Sequence, residues 1–172
     1  MVQDTRDVVK LMRQIPNEVE FVAFLVKAKQ FTYASGGSAS DTSVDPLLPG
    51  SHQLEFYDPP FLYRDIYFGE GFFAGQEIVY LEVAPFWSMC YAGGMIEEGD
   101  DIEEVPGFLR AALKHVEPSA PYRGPSLFKA QGLQYSNFYS GEVGRFRGRE
   151  EICQQENLVY ELEYFGGYLI GS

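Results

Sequence analysis

The chain has 172 residues, 45% of them hydrophobic, which suffices for one ordinary core and leaves no length for two independent domains. Its 13 Lys and Arg against 25 Asp and Glu give a net charge of −12, which argues against a direct nucleic-acid surface, because phosphate binding needs clustered cations. Two histidines and two cysteines, with no Cys pair at ligand spacing, argue against a structural zinc site, so neither metal nor cofactor is expected.

Residues 1–14 carry weak helical periodicity ended by Ile15-Pro16, and 1–16 read as an accessory helix. They mix acids and bases, and no apolar run approaches 20 residues, so no signal peptide and no membrane contact is expected, and the location read is cytoplasmic. Asn17 has the side chain of an N-cap, with Glu20 three positions on, and Phe21, Phe24, Leu25 and Ala28 follow at helical spacing. A helix from about Glu18 to Gln30 is the expectation, with Lys27 and Lys29 near its negative end. Residues 34–51, rich in Ser, Gly, Asp and Pro, read as a surface loop.

From Gln53 the hydrophobic period switches to two. Strands are expected over Leu54–Tyr57 and Leu62–Phe68, a glycine-marked connection over Gly69–Gly75, and a hairpin of Glu77–Val83 with Phe86–Tyr91 around Ala84-Pro85. The acidic run Glu97–Glu104 reads as a solvated connection. Pro106 opens a second helix with Phe108, Leu109, Ala112, Leu113 and Val116 on one stripe. Strands near Leu127–Ala130, Gln134–Tyr139, Glu150–Gln155 and Val159–Phe165 complete the chain. Cys90 and Cys153 fall in strands as small apolar residues, and a disulfide would need those strands to abut.

Residues 63–94 recur at 135–167. At an offset of 72 come Tyr63/Tyr135, Tyr67/Tyr139, Gly69/Gly141 and Glu70/Glu142. After one inserted residue come Gly71/Gly144, Phe73/Phe146, Gly75/Gly148, Glu77/Glu150, Tyr91/Tyr164, Gly93/Gly166 and Gly94/Gly167. This reads as a duplication. The expected fold is α+β: an antiparallel sheet built from two tandem αβββ-type repeats with pseudo-twofold symmetry, helices packed on one face. A single domain over 1–172 would then comprise the accessory helix 1–16, repeat one over 17–95, the acidic connection 96–105 and repeat two over 106–170. The pattern is similar, at the level of architecture, to the twin strand-helix-strand-strand effector-binding domains of the gyrase-inhibitor type.

YRDIYFGEGFFAGQEIVYLEVAPFWSMCYAGG at 63–94, TYASGG before it, and the later RGP, FRGREEI and VYELEYFGG carry a further likeness. Over about residues 22–169 they resemble a prokaryotic domain family of unknown function, found alone or C-terminal to helix-turn-helix repressor domains. Cys90 stands where that family's Trp motif has Asn, and Phe165 where its last glycine pair often follows His. The resemblance implies a regulator's sensing module and carries no chemistry.

Tyr63-x-Asp65-x-Tyr67 and Tyr135-x-Asn137-x-Tyr139 each put two phenols and a polar group on one strand face, with Ile66 and Phe138 opposite as expected core. Glu77 and Glu150 stand two residues past a glycine. Two carboxylates among aromatics suit a flat cationic ligand or a general acid and base, while the alternative is that each accepts backbone N–H groups in its own turn. Trp87, Met89 and Tyr91, answered by Tyr160, Leu162 and Tyr164, read as core, with Trp87 the candidate to line a pocket. Arg123 reads as an anion ligand or a loop tie. No Gly-x-Ser-x-Gly elbow, phosphate loop or dinucleotide fingerprint occurs. The expected ligand-binding residues are therefore Tyr63, Asp65, Tyr67, Glu77, Trp87, Tyr135, Asn137, Tyr139 and Glu150, for a small apolar or cationic molecule. A hydrolase using the paired carboxylates and a protein-interaction module, as a homodimer or with a regulator partner, stay open as alternatives.

Overall fold

The structure, a computed structural model, describes residues 17–34, 43–96 and 104–169. The expected accessory helix 1–16, the middle of the 34–51 loop and nearly all of the acidic connection lie outside the described residues.

Helix α1 spans Glu18–Ala34. Asn17 caps it as expected, its Oδ1 accepting from the Val19 N–H at 3.1 Å. Phe21, Phe24, Leu25 and Ala28 are buried, so the apolar stripe was read correctly. The helix continues one turn past Gln30 because Thr32 and Tyr33 also face inward. Helix α2 spans Glu104–Leu113, with Pro106 in its first turn and Val105, Phe108, Leu109, Ala112 and Leu113 buried.

The strands are β1 (His52–Asp58), β2 (Phe61–Phe68), β3 (Phe72–Leu81), β4 (Ala84–Met95), β5 (Leu127–Ala130), β6 (Leu133–Glu142), β7 (Arg145–Gln154) and β8 (Asn157–Tyr168). They form one antiparallel sheet in the order β1-β2-β3-β4-β8-β7-β6-β5, two four-stranded meanders joined through β4 and β8. Each unit runs helix then four strands, so the strand-helix-strand-strand likeness does not carry over.

The hairpin expected at Ala84-Pro85 turns two residues earlier, at Glu82-Val83, with Leu81 opposite Ala84. Glu82 takes φ 56°, the left-handed geometry that tight hairpins require. The glycine-marked connection is shorter than expected: β3 already begins at Phe72 and Gly75 lies inside it. Its reason is steric. A Cβ on Gly75 would stand 2.4 Å from the Tyr91 hydroxyl, and one on Gly148 2.3 Å from that of Tyr164. Both tyrosines lie flat across the neighbouring strand, and only glycine leaves them room.

Trp87, Met89 and Tyr91 on β4 and Tyr160, Leu162 and Tyr164 on β8 are core as expected, but the two faces of β2 and β6 are reversed from the expectation. Tyr63, Asp65, Tyr135 and Asn137 point into the core, whereas Phe138 is 57% exposed and Ile66 half-buried on the outer face. The hydroxyls and carboxyl tolerate burial because nearly all find partners there, and both helices close over that face. The buried core is contiguous, from Phe21 and Phe108 on the helices to Trp87, Met89, Tyr135, Ile152 and Leu162 on the sheet.

Candidate functional site

Between the sheet and the helices lies a layer of buried polar groups, built strand by strand. On β2, Asp65 sits two residues from Tyr63 on the inner face and opposite Glu77 of β3. On β6, Asn137 sits two residues from Tyr135 and opposite Glu150 of β7. Tyr91 reaches over Gly75 and its hydroxyl donates to Asp65 Oδ1 at 2.7 Å, while Tyr164 reaches over Gly148 and donates to Asn137 Oδ1 at 2.7 Å.

Each glutamate has a cation. Lys29, from α1, donates to Glu77 Oε2, to the Tyr122 carbonyl at 2.7 Å and to the Tyr33 hydroxyl at 3.4 Å, and Tyr33 in turn donates to Glu77 Oε1 at 3.2 Å. Arg123 grips Glu150 from Nε at 3.1 Å and Nη2 at 2.7 Å. The Tyr135 and Tyr160 hydroxyls complete the shell of that carboxylate at 2.6 and 2.8 Å. This fork-on-carboxylate geometry is the strong form of the pair. The segment Tyr122-Arg123-Gly124 links the two halves, because Arg123 also lies 5.5 Å from the Tyr91 ring and 5.7 Å from the Tyr33 ring. Trp87 lies beneath Lys29, with Nζ 5.8 Å from its ring, and donates from Nε1 to the Val143 carbonyl at 3.0 Å.

The electrostatics follow from burial and pairing. Burial lowers the Lys29 pKa, although Glu77 opposes it. For Arg123, burial pulls down, but Glu150 and the surrounding phenols more than offset it and hold the guanidinium charged. Burial first, and the neighbouring Glu77 charge second, raise Asp65 from 3.8 to about 7. Burial raises the phenols of Tyr33, Tyr63, Tyr91, Tyr135 and Tyr160, so they stay neutral.

Of the residues singled out in the sequence, Tyr63, Asp65, Glu77, Trp87, Tyr135, Asn137 and Glu150 all enter this layer and are buried. Tyr67 stands half-buried at its margin, stacked on His52 at 4.9 Å, and Tyr139 is 42% exposed at the other end. Neither glutamate accepts from its own glycine turn, because Lys29 and Arg123 occupy them instead. Arg123 proves to be a tie between its loop and β7. Lys29, Tyr33, Tyr91, Tyr160 and Tyr164 were not expected at the site. The legible signal for Lys29 was its position four residues after Leu25, on the stripe that α1 buries.

Three shallow concavities of about 830, 680 and 600 Å³ lie mainly on the opposite face of the sheet around Phe165, and their linings include none of the seven buried site residues. Cys90 and Cys153 are free and half-buried, and no described helix is long and apolar enough to cross a membrane.

Searches of curated proteins and of solved structures each returned no match. A family model described as a domain of unknown function, DUF5680, matches residues 65–169, from Asp65 on β2 to the residue after β8. That stretch holds every polar group of the layer except Tyr63 and the α1 pair Lys29 and Tyr33, and the chain belongs to the DUF5680 family.

Proposed function

We propose that this domain is a small-molecule-binding module of the sensor type, whose ligand enters the polar and aromatic layer between sheet and helices. One observation carries the reading: five charged side chains, Lys29, Asp65, Glu77, Arg123 and Glu150, are buried together among seven buried tyrosines. Buried ion pairs stabilise a fold poorly compared with apolar packing, so their concentration in one layer argues for recognition. The likeness to domains that follow helix-turn-helix repressors supports a cytoplasmic regulator's sensing part.

We read the domain as two αββββ units related by a pseudo-twofold axis between β4 and β8. Matched details support this: Tyr91–Asp65 and Tyr164–Asn137, Gly75 and Gly148, register shifts at Val79/Tyr80 and Ile152/Cys153, and turn residues Glu82 at φ 56° and Gln155 at φ 57°. The hydrolytic alternative draws less support, since each glutamate is already bonded to its own cation and a general acid must exchange its proton with substrate.

Trp87 is the chain's single tryptophan and lies in the layer, so its fluorescence reports on occupancy. A library of small polar, aromatic and cationic compounds, screened by Trp87 emission and melting temperature, should yield compounds that move both. Silence from the whole library would overturn the reading.

The outer face favours a second reading, self-association. Phe72, Phe138 and Phe165 are 67%, 57% and 62% exposed there, beside the column Arg145, Arg147, Arg149 and the acids Glu161 and Glu163. A face carrying both signs is complementary to its own twofold copy. Sedimentation velocity should then show a concentration-dependent dimer that Phe165→Asp abolishes, and a monomer at all concentrations would remove this reading.

A further inference from the structure

The buried layer is not balanced. Three carboxylates, Asp65, Glu77 and Glu150, face two cations, Lys29 and Arg123, and the two ion pairs use both cations. Asp65 is the acid left without one among the described residues. In the other half Asn137 makes the corresponding tyrosine bond with a neutral amide.

A second observation falls on the same spot. The Tyr63 hydroxyl is the one buried side-chain polar atom among the described residues without a hydrogen-bond partner. Tyr135, its counterpart, accepts from the Gly124 N–H at 2.9 Å and donates to Glu150 at 2.6 Å. Native folds rarely leave a buried hydroxyl unmatched, and the exceptions ask for an explanation. Tyr63 and Asp65 share one strand face, about 6.7 Å apart along β2. The charges of Asp65 and Glu77 both bear on the Tyr63 hydroxyl.

We propose that Tyr63 and Asp65 bind the primary ammonium head of a small amphipathic amine, whose body lies along Tyr67 toward solvent. The proposal rests on the layer reading above and names its ligand class. An ammonium donates three hydrogen bonds, so one head can serve the Asp65 carboxylate and the Tyr63 oxygen together, and it supplies the missing positive charge. An anion would add to the excess of acid. A divalent metal lacks a donor set, because no cluster of three His, Cys, Asp or Glu is placed to hold one among the described residues. A quaternary ammonium has no N–H for Tyr63 to accept. Tyr67, half-buried at the margin, marks where the strand face meets solvent.

Protonation of Asp65 competes with the amine. The groups facing Asp65 are Lys29 and Tyr33 from α1, Glu77 from β3, Tyr91 from β4, Arg123 from the loop before β5, and Tyr63 and Tyr67 on its own strand. With Asp65 near 7, affinity should fall about tenfold from pH 8 to pH 6, as the ionised fraction falls from about ten-elevenths to one-eleventh.

The test is calorimetry in amine-free buffer with 2-phenylethylammonium, against the uncharged 2-phenylethanol and a quaternary trimethylated analogue. Wild type should bind the primary amine one to one, more tightly at pH 8 than at pH 6, and neither control. Asp65→Asn should abolish binding and its pH dependence. Tyr63→Phe should weaken it at least fivefold. Both variants should fold, the first because Asn137 serves in the other half, the second because it removes a hydroxyl without a partner. Equal binding by Asp65→Asn, or equal binding of 2-phenylethanol, overturns the ammonium assignment. A Trp87 response to neutral compounds but not to the amine overturns it while the layer reading survives, and silence to every compound overturns both.

Discussion

Replacing Asp65 by asparagine should stabilise the protein at pH 8 and leave it nearly unchanged at pH 4. The carboxyl is held near 7 in the folded chain against 3.8 for a free aspartate, a shift of about 3 units, and at 1.36 kcal/mol per unit this corresponds to about 4 kcal/mol. The folded pKa is the higher one, so the native state binds the extra proton between about pH 4 and 7. Stability from this group is whole below pH 4, is lost progressively as pH rises, and is fully lost above about 7. Asparagine keeps the Tyr91 bond, as Asn137 keeps that of Tyr164, and carries no charge to desolvate. The advantage of the variant should therefore grow from near zero at pH 4 toward at most about 4 kcal/mol at pH 8. A chain of this size gains roughly 2–4 °C in Tm per kcal/mol, so a rise of several degrees is expected. Thermal and urea unfolding from pH 4 to 9 in amine-free buffer measure it. A difference independent of pH, or an asparagine variant less stable at pH 8, would refute the reasoning.

Glu150→Gln turns one of the two oxygens that accept the Arg123 and tyrosine bonds into an amide NH2 facing those donors, and leaves a buried guanidinium without a compensating charge, which should cost about 3–5 kcal/mol in urea unfolding. A loss below 1 kcal/mol would mean that Arg123 finds solvent. Gly75→Ala forces a methyl against the Tyr91 ring and hydroxyl and should cost about 1–3 kcal/mol. Part of that cost should vanish in a Tyr91→Ala background, where the 2.6 Å approach to Tyr67 Cβ remains, and an additive double mutant would argue against the crossing tyrosine as a cause. Asn17→Ala removes the cap of α1 and should cost about 1 kcal/mol, read from the same unfolding curves.

Much of the fold was legible because its signals are local. The α1 stripe from Phe21 to Ala28, the cap at Asn17, and the period-two runs that became β1, β2 and β5 each follow from residues a few positions apart. The site was legible in membership but not in wiring. Tyr63, Asp65, Glu77, Tyr135, Asn137 and Glu150 stood out through the repeated pattern, yet their partners Lys29 and Arg123 lie 48 and 27 residues from the glutamates they meet. Hydropathy ranks Ile66 and Phe138 above Tyr and Asp, so the buried face of β2 and β6 was assigned to the wrong side. What reverses that ranking is hydrogen bonding across strands, and no spacing rule contains it. Gly75 was read as part of a connection for the same reason, since the tyrosine it accommodates comes from the next strand.

The most direct measurement of the central claim is a ¹³C NMR titration of the Asp65 carboxyl, assigned by its absence in Asp65→Asn, with and without 2-phenylethylammonium. The midpoint should lie near 7 in the free protein and move to lower pH as the amine is added, because the bound cation favours the carboxylate. A midpoint unchanged by saturating amine would contradict it.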